Sequence, residues 1–254
     1  MKTSMKILAA SLVSIALAGA AYAYIPPSNF QIAMLAKKHK GLKSLRVKTR
    51  ITGPSGQVRE IGYYDAATRT WKARFVDQND REIYAFERKL GVTDSLASLL
   101  LFETNPGNIM TALKNAGIPV VLETDLAAAP DEPAKRALEK TSIGRLDHKV
   151  GWIIGEGNPS LWILKDDFVP LKLIAGGAEI RFEETKFSRD FPYARSISIY
   201  RGNDFVLKGE AMEVMTNPDL ADMRAIQVSG IPAIPSSLPS DERGLIEQWV
   251  QWIR

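Results

Sequence analysis

Repeated alternation of apolar and polar side chains is the feature that most constrains how this chain can fold. From Leu42 to Ile51, apolar residues occupy every second position, which is the period of a strand with one buried and one solvated face. Short polar or glycine-rich turns separate further segments of this kind, at 58–64, 71–75, 83–86, 150–154, 161–164, 168–174, 178–182, 196–200 and 205–214. These segments predict an α+β fold, in which a strongly curved antiparallel sheet or half-open β-barrel has helices covering its mouth.

Helical spacing appears at the start and in the middle of the chain. The segment 30–36 follows Ser28 and Asn29, two residues suited to cap a helix, and leads into lysines before a glycine. Two short apolar helices are predicted at 96–102 and 109–113, the first with an N-terminal cap supplied by Thr93, Asp94 and Ser95. They lie between the two sets of strands, where they are able to cover the sheet.

The rest of the helical prediction concerns the second half of the chain. A linker-like stretch at 127–133 leads into a further helical turn through Leu138. After a proline-rich stretch, Ser240 is placed to cap an amphipathic helix whose apolar side includes Trp249. Docking of this helix onto the sheet is favoured over binding to a membrane surface, because its polar face mixes acidic and basic residues.

The first 23 residues are typical of a secretory signal. Lys2 and Lys6 form a basic start, 7–18 is apolar, and Ala21-Tyr22-Ala23 is a small-x-small cleavage site. We expect cleavage after Ala23 and export to the periplasm. No later segment has the roughly 20 apolar residues that a bilayer requires, so no integral membrane span is predicted.

Three regions are expected: a signal peptide at 1–23, one half-barrel domain at 24–229, and a proline-rich linker with the amphipathic helix at 230–254. The chain contains no cysteine, which excludes disulfides and thiol chemistry. Without Lys2 and Lys6, its 33 basic and 29 acidic residues become 31 and 29, a net charge of +2. This near neutrality gives no electrostatic basis for a nucleic-acid partner.

The segment from Leu161 to Asp204 resembles the second half of the periplasmic carriers of the outer-membrane lipoprotein-sorting (LolA-like) family. The matching residues are Leu161-Trp162-Ile163-Leu164, Lys165-Asp166-Asp167, Phe168, Pro170, Lys172-Leu173, Gly176-Gly177, Ile180, Phe182, Phe191-Pro192 and the strand to Tyr200. The resemblance implies a half-open barrel closed by helices around an apolar cavity that holds acyl chains. Under it, Trp162, Phe168 and Pro170 are scaffold residues, and the family's cavity arginine has no counterpart with matching context.

A barrel with this number of strands is able to enclose one small ligand, and acyl-chain cavities are lined by large apolar side chains. The sheet and the middle helices would supply such a lining, with a lipid or acylated polypeptide as the ligand. The predicted lining residues are Trp71, Phe75, Leu96, Leu99, Leu100, Met110, Leu113, Trp152 and Ile154. The alternative is that the same side chains pack together as a dry core.

No pattern in the sequence predicts an enzyme, a cofactor or a metal site. His39 and His148 are far apart without ligand-like neighbours, and both are interpreted as surface residues. Glu183 and Glu184 are adjacent in a strand and point to opposite faces, so they do not form a catalytic pair. The sequence therefore predicts a non-enzymatic lipid or lipoprotein carrier of the cell envelope. The alternative is an interaction or regulatory module that uses the same fold to contact another envelope protein.

Overall fold

The computed structural model describes residues 25–91, 95–131, 134, 140–189, 191–228 and 234–254. The predicted signal peptide, the caps Thr93 and Asp94, the turn through Leu138 and part of the proline-rich linker lie outside the described residues. Eleven strands are present in the described part: β1 (Ser44–Gly53), β2 (Gly56–Asp65), β3 (Thr70–Val76), β4 (Glu82–Lys89), β5 (Thr141–Leu146), β6 (Lys149–Ile154), β7 (Ser160–Leu164), β8 (Pro170–Ala175), β9 (Ala178–Ser188), β10 (Phe191–Arg201) and β11 (Asp204–Thr216).

All eleven strands belong to one antiparallel sheet with the order β4-β3-β2-β1-β11-β10-β9-β8-β7-β6-β5. Every pair of neighbours is consecutive in the sequence except β1 and β11, which join the two meanders. The sheet is open, with β4 and β5 at its two edges. This arrangement confirms the predicted α+β fold with a half-open antiparallel sheet.

The sequence did not predict strand β5, and β9 and β10 are longer than the predicted segments 178–182 and 196–200. Only Ile143 and Leu146 are large apolar residues in β5, and Ile143 is 41% exposed. An edge strand with little burial therefore lacks the alternation on which the prediction depended. The extra length of β9 and β10 lies in the hairpin that joins them, where backbone pairing from Phe191 to Ala194 continues without strict apolar alternation.

Six helices accompany the sheet in the described residues: α1 (Ser28–Lys37), α2 (Leu96–Phe102), α3 (Pro106–Asn115), α4 (Glu123–Ala128), α5 (Ala221–Ala225) and α6 (Ser240–Ile253). The prediction that serines cap α1, α2 and α6 was wrong, because none of these helices has a side-chain cap. Ser28 lies inside α1 and accepts a hydrogen bond from the backbone N–H of Val121. Ser95 instead donates its hydroxyl to the carbonyl of Trp252, so it fastens one helix to another.

The inner face of the sheet, defined here as the face whose side chains form the main hydrophobic core, is covered by α1, α2, α3 and α6. A smaller cluster on the opposite, outer face places Met223 and Ile226, within and just after α5, against Tyr63 of β2. The core is extensive enough to stabilise the chain without disulfides. Among the described helices, none combines the length and the apolar character that crossing a bilayer requires.

Candidate ligand-binding site on the inner face of the sheet

Helix α6 lies against β1, β2 and α2 on the inner face. Its apolar side is fully inserted: Leu245, Ile246, Trp249 and Ile253 are each at most 4% exposed. These side chains follow helical spacing, so α6 buries one continuous stripe. The predicted docking of this helix onto the sheet is confirmed, and its separation from the rest of the chain as a distinct region remains a prediction.

Glycines in the strands allow this close approach. A Cβ atom on Gly209 of β11 would lie 2.2 Å from the Trp249 ring, and one on Gly62 of β2 would lie 2.2 Å from the Trp71 ring. Real Cβ atoms do not approach other atoms so closely. Each indole ring therefore packs directly against the strand backbone at a position where only glycine leaves enough space. The inner face is therefore shaped to receive two flat aromatic rings.

Between these rings lies a buried ion pair. The Nε and Nη2 atoms of Arg254 donate to Oε1 and Oε2 of Glu60 at 3.0 and 2.9 Å. The side chains of Arg254 and Glu60 are 4% and 0% exposed. Trp71 and Trp249 donate their indole N–H groups to the same carboxylate, at 3.3 and 3.0 Å. Four hydrogen bonds thus compensate a charge that would be costly to bury alone.

The guanidinium of Arg254 is also sandwiched by aromatic rings. It lies 4.0 Å from the centroid of Trp71 and 5.2 Å from that of Trp249. Trp71 in turn stacks on Phe102 of α2, with centroids 5.4 Å apart. Ser95, which precedes α2, and Ser98 of α2 donate to the carbonyls of Trp252 and Ile253, so this end of α6 contacts both the sheet and α2.

An apolar cavity lies beside this ion pair, under α6. Its lining comes mainly from β1, β10, β11 and α2: Leu45, Val47, Thr49, Leu101, Phe102, Phe191, Pro192, Tyr193, Ala194, Ile197, Gly209, Ala211, Val214, Trp249 and Arg254. The cavity volume is about 40 Å³, which is well below the roughly 150 Å³ of an engineered apolar cavity that binds benzene. Trp249 of α6 forms part of the wall of this cavity.

The nine residues predicted as a lining are all placed at or near the hydrophobic core. Trp71, Phe75, Leu99, Leu100, Leu113 and Ile154 are 0% exposed, Trp152 is 5% exposed, and Leu96 and Met110 pack partly buried against the core. None of the nine lines the apolar cavity under α6. Trp71 contacts the cavity residues Phe102 and Arg254. That these nine residues contact a ligand remains a prediction.

Sequence reasoning missed Glu60 and Arg254, the two charged residues at the centre of the site. A signal for Glu60 was present, because strand alternation puts it on the same face as Val58, Gly62 and Tyr64. A carboxylate on an otherwise apolar face requires a partner. The partner is 194 residues away in sequence, and no local pattern identifies it.

His39 is a further correction, because the sequence interpreted it as a surface residue and it is 2% exposed. Its Nδ1 lies 2.9 Å from the carbonyl oxygen of Glu103, and its ring packs against Phe191. Burial lowers the pKa of His39 to about 4, although the bond to Glu103 opposes this shift. His39 is therefore neutral at pH 7 and donates from Nδ1. His148 is exposed, as predicted.

Two other observations bear on chemistry at this site. Burial raises the pKa of Tyr64, which stacks on Trp71 and Phe102, to about 12, so this phenol is a neutral donor at physiological pH. The described residues contain no group of three or more histidine, aspartate or glutamate side chains positioned to hold a metal ion. The arrangement is suited to burying apolar groups around one fixed ion pair.

No protein-family model and no curated protein matches this chain. Among solved structures, a LolA superfamily protein from Nitrosomonas europaea is 12% identical, with a TM-score of 0.45 over 80% of this chain and 98% of that chain. A DUF1329 family protein from Desulfovibrio piger is 9% identical, with a TM-score of 0.39 over 80% of this chain and 100% of that chain. A chain of the Pseudomonas aeruginosa MucA/MucB complex is 9% identical, with a TM-score of 0.35 over 84% of this chain and 67% of that chain.

Proposed function

We propose that this chain is a non-enzymatic carrier that binds the acyl chain of a lipid or acylated polypeptide between the inner face of its sheet and α6, in the periplasm. The observation that carries the proposal is the apolar cavity under α6, beside a single buried ion pair that holds the end of that helix. Helix α6 occupies the position of the ligand, and the ligand enters as the helix moves outward.

Two opposing contributions decide the energetics of such an exchange. Burial of an acyl chain contributes about 0.8 kcal/mol for each methylene. The apolar stripe of α6 covers the same surface in the absence of ligand, so the inner face is never left exposed to water. The ligand binds only to molecules in which α6 has moved outward. The apparent affinity is therefore the intrinsic affinity multiplied by the fraction of such molecules. Release of the ligand then needs only the return of the helix.

A fatty acid of sixteen carbons provides the test, with binding measured by calorimetry on the mature chain. Ala211 lines the cavity, so Ala211→Trp fills it and is expected to weaken binding at least about fivefold, which corresponds to about 1 kcal/mol, the lower end of the cost of overpacking. Ala67 is exposed in the turn between β2 and β3, and Ala67→Trp is the matched control that should bind like the wild type. Equal binding by both variants, each shown to be folded by circular dichroism, contradicts the proposal.

The position of α6 in an apolar groove favours a second candidate function. An amphipathic helix in an apolar groove is one of the recurrent modes of protein recognition, and here the groove is occupied by a helix of the same chain. A partner's helix that replaces α6 would make the protein an envelope interaction or regulatory module. Deletion of 240–254 separates the two functions: the carrier gains affinity for the fatty acid, whereas the module gains affinity only for an amphipathic helical peptide.

A further inference from the structure

A second, larger groove shares the lining residue Phe191 with the apolar cavity and contains four cationic side chains. It runs between the end of α1 and the β9–β10 hairpin, has a volume of about 480 Å³, and is lined by Met34, Lys37, Lys38, Lys40, Gly41, Leu42, Phe187, Arg189, Phe191, Thr216 and Asn217. We call it the basic groove. Pockets that bind small molecules typically have volumes of about 300 to 1,000 Å³.

The charge of the basic groove has one sign. Its lining includes three lysines and one arginine, and no carboxylate among the described residues. Along the chain, no aspartate or glutamate occurs before Glu60, so α1 and β1 bring no acidic side chain to this region. Asp190 follows Arg189 in the sequence and lies outside the described residues; its single charge leaves the cations in excess.

The end of α1 accounts for only part of this positive charge. Lysines in the last turn of a helix offset the partial negative charge of its carbonyl groups, which is about half an elementary charge. Four cations exceed that requirement several-fold. Lys37, Lys40 and Arg189 are also exposed, with their charged groups available to a ligand.

The basic groove and the apolar cavity share one wall. Phe191 lines both, and it is 5% exposed with its ring against His39. On the groove side, Phe187 is 50% exposed beside the cations. Phe187 therefore lies on the cationic surface, and Phe191 separates this surface from the apolar interior.

We propose that the basic groove binds the phosphate headgroup of an anionic phospholipid whose acyl chain passes Phe191 into the cavity under α6. This inference rests on the proposed function and extends it by naming the class of lipid. The phosphate accepts charge-assisted hydrogen bonds from Lys37, Lys38, Lys40 and Arg189, and the first methylenes of the chain contact Phe187 and Phe191. Both classes of lipid present the same phosphate, but a zwitterionic headgroup also brings its own cation close to the four cations of the groove. Repulsion of that cation makes the groove select anionic over zwitterionic lipids, while the cavity supplies affinity common to both.

The test compares short-chain phosphatidylglycerol with phosphatidylcholine of the same chain length, both as monomers in solution. The mature protein is expected to bind phosphatidylglycerol about tenfold more tightly, because the cations of the groove repel the choline group of phosphatidylcholine. The double variant Lys40→Gln/Arg189→Gln should lose this preference, mainly because its affinity for phosphatidylglycerol falls. Lys89→Gln/Arg145→Gln, which removes one exposed lysine and one exposed arginine outside the groove, should retain it.

The contrary results separate the headgroup site from the cavity. Equal affinities of the wild type for both lipids, or a preference that survives in the groove variant, overturn the headgroup site and leave the carrier intact. If neither lipid binds, the carrier and the headgroup site both fail. Glycerol phosphate that binds as tightly as phosphatidylglycerol would show a site for free phosphate. Binding only to phosphatidylglycerol vesicles would show a membrane-docking surface. Either of these last two results contradicts the proposal.

Discussion

Arg254, which follows α6, forms a two-bond ion pair with Glu60 on the inner face of β2, at donor–acceptor distances of 3.0 and 2.9 Å. The pair joins residues separated by 194 positions and fixes α6 over the cavity. Its carboxylate also accepts the indole N–H groups of Trp71 and Trp249. The Arg254–Glu60 ion pair is therefore a polar contact between α6 and the otherwise apolar inner face of the sheet.

Removal of the cation should be strongly destabilising. Arg254→Met leaves Glu60 buried and without its countercharge, and the free energy of unfolding is expected to fall by about 3 to 5 kcal/mol, measured by urea denaturation. Arg243 of the same helix pairs with Glu247 at the surface, with both side chains nearly half exposed. Arg243→Met should therefore cost less than about 1 kcal/mol.

A double-mutant cycle with Glu60→Gln tests whether the two residues act as a pair. The double variant no longer carries an unpaired charge, so its loss of stability should be smaller than the sum of the two single losses. Additive losses, or equal effects of Arg254→Met and Arg243→Met, would show that the ion pair does not hold α6.

Gly209→Ala should displace Trp249 from the sheet. The new methyl group would lie 2.2 Å from the indole ring, so we expect a loss of about 1 to 3 kcal/mol in stability together with faster uptake of fatty acid in stopped-flow measurements. Gly244 in α6 is the control position, because a methyl group added there would have no neighbouring atom within 4 Å. Gly244→Ala should stabilise the helix by about 0.5 to 1 kcal/mol. Unchanged uptake by a destabilised Gly209→Ala variant contradicts a role for Trp249 in closing the cavity.

Acid should weaken the fold through His39. Its pKa is about 4 in the folded protein and 6.5 as a free side chain, so between these values the unfolded state binds more protons. The His39 contribution is fully present above pH 6.5 and is lost as the pH falls towards 4, by about 3 kcal/mol in total. Urea denaturation from pH 7.5 to 4.5 measures this loss.

Two substitutions isolate the histidine from other acid effects. His39→Gln keeps a donor for the carbonyl of Glu103 and should flatten the dependence between pH 6.5 and 4.5. His148 is exposed, and His148→Gln should leave the dependence as in the wild type. A wild-type curve that is already flat in this interval would contradict the buried neutral state of His39. Asp77, Asp125 and Glu213 have lowered pKa values, so their contributions are lost at more acidic pH.

The sequence predicted most of the sheet because burial of one face leaves a clear period of two. In β1, Leu45, Val47 and Ile51 alternate with basic residues, and the structure places them on the inner face. Strand β5 lacks this period of two, because it is an edge strand whose side chains are not buried. The prediction of helix caps was wrong for a different reason. Ser28 and Ser95 form hydrogen bonds with backbone groups that are distant in the sequence, and only the tertiary fold determines these contacts.

The candidate site was less predictable than the fold. The nine predicted lining residues were selected as large and apolar, and such residues fill the core where α2 and α3 meet the sheet. The cavity instead adjoins small residues, among them Ala194, Gly209 and Ala211, because space is left where side chains are small. Glu60 and Arg254 become recognisable as a pair only when the chain is folded, and so does the burial of His39 against Phe191.

The most direct test of the central claim is to locate a bound acyl chain. A photoreactive fatty acid can be cross-linked to the mature protein, and the modified residues can be identified by peptide mass spectrometry. The account predicts cross-links on β10, β11 and α6 around Ala194, Ala211 and Trp249, and their loss in Ala211→Trp. Cross-links confined to the outer face, or inner-face cross-links that persist unchanged in Ala211→Trp, would contradict it.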